Sequence, residues 1–143
     1  MPPTRADHPD YARLSLANAR PEIDRAEEAL LACMHRHAYS DAAKFAVRLA
    51  LEEGIVNAFC HGHKDLPEPR PVELSYLVQP THIEITITDQ GPGYNPSAIP
   101  DPTLDENIEK TSGRGLMLIR SFMTEVRHEL DGRRLVMVYR QPG

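Results

Sequence analysis

Three short stretches carry residue types and spacings that can do chemistry. Glu53 and Asn57 stand four apart in EEGIVN, Asp89 precedes Gly91 and Gly93 in DQGPG, and Gly113 and Gly115 flank Arg114 in SGRG. Residues four apart on a helix lie one above the other. Glu53 can then serve as a general base beside Asn57, whose neutral amide oxygen suits Mg²⁺, an ion that keeps waters and shares its shell with phosphates. An aspartate at the end of a strand can accept a hydrogen bond from an exocyclic amine, which makes adenine a candidate, and neighbouring glycines let a ligand approach the backbone. A helix opening on glycine offers free N–H groups and the positive end of its dipole to an anion, and a triphosphate would suit it. Arg114, between the two glycines, can meet a γ-phosphate or stay solvated. Each stretch also has a plain structural use. Glycine and proline make turns, and an acid or amide on a buried helix flank can cap it or bond a nearby strand.

The surrounding pattern sets the elements that must carry these residues. Tyr11 to Ala17 alternates as a first strand, and Pro21 opens a helix with Ile23, Ala26, Ala29, Leu30 and Cys33 at helical spacing. His35 and His37 near its C-terminus complement the helix dipole, the alternative being a metal site. Ser40 caps a second, largely apolar helix from Asp41 to about His61, with Lys44, Arg48 and Glu52 as its solvated stripe and Glu53 beyond that stripe. His61 and His63 read as packed or exposed residues around the helix-breaking Gly62, the alternative being a metal site. Two alternating runs, Val72 to Gln79 and His82 to Asp89, form a hairpin. Gln90 to Ser112, with four prolines and no periodicity, reads as a long functional loop. SGRG then leads into a third helix containing Leu116, Met117, Ile119, Phe122 and Met123. Asp131-Gly132 turns a last hairpin between Glu125 to Leu130 and Arg133 to Arg140. The predicted fold is an α/β two-layer sandwich, a mixed, mainly antiparallel sheet with helices on one face. Residues 1–10 form a tail and 11–143 one domain.

Bulk properties bound the function. At 143 residues, 41% hydrophobic and 26% charged, the chain is of ordinary globular composition. A formal charge of -5 without a Lys/Arg cluster argues against direct nucleic-acid binding. Cys33 and Cys60 lack zinc-type spacing and read as buried thiols in a reducing compartment. With neither a signal peptide nor a membrane-length apolar stretch, the expectation is a cytoplasmic protein.

The three stretches together strongly resemble the boxes of the anti-sigma-factor serine/threonine kinases within the GHKL (histidine-kinase-like) ATPase superfamily. EEGIVNAFCHGH is similar to the first box, which makes Glu53 the catalytic base and Asn57 the magnesium ligand. DQGPGYNP is similar to the second, whose aspartate recognises adenine, and TSGRGLMLIRSFMTEV to the third, whose glycines bracket the phosphates. The resemblance assigns nucleotide contacts to Asn57, Asp89, Gly91, Gly93, Gly113, Arg114, Gly115 and Leu116, and an ATP lid to about 90–112. It implies ATP and Mg²⁺ as cofactors, and a kinase that binds a sigma factor and phosphorylates an anti-anti-sigma protein of the STAS type, with a homodimer open on the free sheet face. A nucleotide-gated binding module without transfer is the alternative. The ATPase domain of a histidine kinase is a second rival, one for which the chain leaves no room for dimerisation helices.

Overall fold

Alternation of aliphatic residues decides how the strands lie. The computed structural model describes residues 10–63, 66–92 and 111–142, with 111–114 given by their helical backbone alone. In chain order these are β1 (Tyr11–Leu16), α1 (Arg20–Arg36), α2 (Asp41–Asn57), a π-helical turn (Ala58–Gly62), β2 (Val72–Val78), β3 (His82–Thr88), α3 (Thr111–Phe122), β4 (Glu125–Glu129) and β5 (Arg134–Arg140). The sheet order is β1-β2-β3-β5-β4, and all four pairings are antiparallel. Register sets Leu74 opposite Ile87 and Tyr76 opposite Ile85, then Ile87 opposite Leu135 and Ile85 opposite Met137. A one-residue slip would turn this whole row to the other face, so burial locks the register. The three helices cover that aliphatic face: Leu30 and Met34 of α1, Leu51 and Ile55 of α2 and Ile119 of α3 join the strand residues in one core. This is the expected two-layer sandwich, with its sheet antiparallel throughout. The other face carries exposed ion pairs such as Arg13–Glu73 at 2.9 Å and Arg134–Glu129 at 3.7 Å.

Local chemistry explains most element ends. Pro21 lies in the first turn of α1, where its missing N–H costs nothing. Ser40 accepts the Ala43 N–H at 3.1 Å and caps α2, worth about 1 kcal/mol. Between α1 and α2, Arg20 bonds Asp24, Glu27 and Glu52. Glu27 is only 2% exposed and pairs with Arg20 at 3.0 Å and Arg48 at 3.4 Å.

Several boundaries differ from expectation, each for a local reason. The helix expected to reach His61 as one piece gives way after Asn57 to a π-helical turn, closed by the His63 N–H on the Ala58 carbonyl. The third helix begins at Thr111, so Gly113 and Gly115 lie inside its first turns and not before it. The last hairpin turns over four residues, 130–133, because Leu130 and Asp131 are left-handed as well as Gly132 (φ 52, 55 and 87). Phe45, an apolar residue of α2, is 65% exposed, since position 45 shares a helix face with Arg48, and it meets Phe122 edge-on. Cys60, expected buried, is exposed, whereas Cys33 is buried.

Candidate functional site

The site begins on α2. Gly54 lets this helix sit close to the sheet, since a Cβ there would fall 2.6 Å from Ile87 Cδ1. Glu53 and Asn57, on the adjoining flank, are drawn against the start of α3. A Cβ on Gly115 would lie 2.9 Å from Glu53 Oε2 and 3.2 Å from both Asn57 Oδ1 and Nδ2. The acid, the amide and the second glycine of SGRG therefore meet at one point. Asn57 Oδ1 is buried and has no hydrogen-bond partner among the described residues. A buried acceptor left unpaired costs about 1 to 3 kcal/mol, which a ligand supplying a donor or a cation would recover. A neutral oxygen beside a carboxylate is a hard donor set, and it fits Mg²⁺.

Asp89 follows β3 and is 6% exposed. Its Oδ1 accepts the Gly91 N–H at 2.8 Å. Burial pushes its carboxyl above the ordinary 3.8, while the Gly91 bond and the charge of Arg133 pull the other way. Two glycines make room for it. A Cβ on Gly62, in the π-helical turn, would fall 2.4 Å from Asp89 Cγ and Oδ2, and one on Gly91 would fall 1.7 Å from the Gly62 carbonyl oxygen. A side chain at Gly91 would force backbone movement, and one at Gly62 would displace the Asp89 carboxylate.

A narrow cavity of about 20 Å³ joins these groups, bordered by Asn57, Ala58, Asp89, Leu116, His128 and Arg133. It has room for about one water. Among the expected site residues, Glu53, Asn57 and Gly115 are thus brought together, and Asn57, Asp89 and Leu116 share the cavity. Gly91 serves Asp89 through its N–H. Gly113 and Arg114 lie in the first turns of α3, the Arg114 side chain being outside the described residues, as are Gly93 and most of the 90–112 lid.

Sequence reasoning missed Gly62, His63 and His128. Gly62 was read as a helix breaker only. His128 could have been found from its alternation in β4, which sets it opposite Leu135 on the helix-covered face; burial and Arg120 lower its pKa. His35 and His37 do take part in polar pairing. His37 Nε2 lies 2.6 Å from Asp10 Oδ2, and His35 Nδ1 lies 3.2 Å from Lys44 Nζ. No three His, Cys, Asp or Glu side chains gather as a metal cluster among the described residues.

An antiparallel sheet covered by helices on one face is the architecture of the GHKL ATPases. The family model of the histidine kinase-like ATPase domain matches residues 16–139. The chain belongs to that family, whose domain implies binding of ATP and Mg²⁺ in general. No curated protein matches the chain significantly. No helix among the described residues is long and apolar enough to cross a membrane.

Proposed function

We propose that the chain is an ATP-dependent serine/threonine protein kinase that acts as an anti-sigma factor, binding a sigma factor and phosphorylating an anti-anti-sigma protein. The observation that carries the reading is the approach of Gly115 to Glu53 Oε2 and Asn57, which sets a candidate base and a candidate metal ligand beside a helix start fit for phosphate. Asp89 would accept the exocyclic amine of adenine, its carboxylate held by the Gly91 N–H. Asn57 would hold Mg²⁺, which when bound supplies positive charge to the triphosphate. Glu53 would take the proton of the partner's hydroxyl as that oxygen bonds to the γ-phosphorus and the bond to the β,γ-bridging oxygen breaks, leaving ADP. Such transfer depends on positioning and charge more than on covalent chemistry, so displaced groups at this contact should cost rate.

The test is incubation with γ-labelled ATP and a candidate anti-anti-sigma protein. Label on a serine or threonine of that partner supports the kinase; its absence with a partner that does bind refutes it. A second reading, a nucleotide-gated binding module, rests on the same buried Asn57 Oδ1 and Asp89, since a ligand held by them can bias partner affinity whether or not transfer follows. That reading expects partner affinity to depend on nucleotide and no label to appear.

A further inference from the structure

His63 leaves the π-helical turn with its ring edge-on to Phe59, centroids 5.6 Å apart. Its Nε2 lies 2.9 Å from the backbone nitrogen of Gln90 and accepts that N–H. A ring nitrogen that accepts carries no proton, so the neutral ring holds its proton on Nδ1. Nδ1 is buried and has no partner among the described residues. The ring therefore satisfies Gln90 while its other nitrogen goes unmet.

The recipient of that bond explains the arrangement. Each of the three residues at the end of β3 has its backbone N–H fixed: Asp89 on the Arg133 carbonyl at 2.9 Å, Gln90 on His63, and Gly91 on the Asp89 carboxylate. The Gln90 side chain adds a bond to the Pro71 carbonyl. Only the Gln90 N–H is held by an ionisable side chain from another element. We infer that His63, as a neutral Nδ1–H imidazole, is a positioning residue for Asp89, holding the strand end so that the carboxylate meets the adenine amine. This rests on the nucleotide reading of Asp89.

An imidazolium carries N–H on both nitrogens and accepts nothing, so the bond from Gln90 requires the neutral ring. Glu68 and Arg70, of opposite sign, border a cavity of about 450 Å³ that His63 also lines.

The experiment compares His63→Gln, whose amide oxygen can still accept from Gln90, with His63→Phe, which keeps the packing on Phe59 and accepts nothing. By calorimetry with ATP, His63→Phe is expected to weaken binding roughly tenfold and His63→Gln less than about threefold, the size of one hydrogen bond. In an Asp89→Asn background, His63→Phe is expected to add little, because it acts through Asp89. Wild-type affinity in folded His63→Phe, equal losses in both variants, or nitrogen-15 shifts showing the proton on Nε2 would overturn the assignment. Absence of ATP binding by the wild-type chain would instead refute the nucleotide reading. Hydrogen exchange at the Gln90 amide without nucleotide still decides the tether: it is expected faster in His63→Phe than in His63→Gln, and equal rates overturn it.

Discussion

Gly115→Ala sets helix stability against chemistry at one atom. The new methyl carbon would sit 2.9 Å from Glu53 Oε2, whereas ordinary contact begins at 3.4 Å, so the carboxylate must retreat by 3.4 − 2.9, about half an ångström. Asn57 must give by about 0.2 Å from its 3.2 Å position. Both yield at side-chain ends, at a rotamer cost of about 0.5 to 1.5 kcal/mol. Replacing a helical glycine by alanine returns up to about 1 kcal/mol. Unfolding in denaturant should therefore show a change within about 1 kcal/mol of zero. Transfer has no such offset. If a displacement of 1 Å costs about a hundredfold, half of that should cost about tenfold in single-turnover transfer from γ-labelled ATP. Met117→Ala, at an exposed position of the same helix, is the control and should leave both readouts nearly unchanged. A folded Gly115→Ala protein that transfers at the wild-type rate would show that Glu53 and Asn57 do not act at this contact.

Three other outcomes follow from the same geometry. Asp89→Asn should weaken ATP binding by about 1 to 3 kcal/mol and relax discrimination against GTP, as calorimetry with both nucleotides would show; unchanged ATP affinity removes the adenine assignment. Glu53→Gln keeps the shape and removes the base, so transfer should fall by about 10² to 10⁴ while ATP affinity changes little, and transfer at full rate would leave Glu53 structural. Burial and the neighbouring Glu52 raise the Glu27 carboxyl from 4.5 to about 7, so between those values the folded state binds more protons than the unfolded state and stability falls as pH rises. Glu27→Gln should flatten that decline in denaturant titrations across the window, and a parallel decline in both proteins would place the titration elsewhere.

The strands and the two long helices were legible because their periodicity is imposed by burial: Ile83, Ile85 and Ile87 can share a face only in an extended chain, and Ile23, Leu30 and Met34 only in a helix. The three polar stretches were legible for a related reason, since Glu53, Asn57 and Asp89 sit where an apolar pattern gives no use for them. What pattern cannot carry is distance between segments far apart in the chain. That Gly115 rests on Glu53 and Asn57, or that Gly62 clears the Asp89 carboxylate, depends on how α2 and α3 pack and on where the π-helical turn places one backbone atom against another. Gly62 looked like a place for a helix to stop because a glycine's local propensity is visible and the neighbour it accommodates is not. His63 was passed over for the same reason. A lone imidazole near a helix end has many uses, and only the folded chain, by setting its Nε2 against the Gln90 N–H, selects among them.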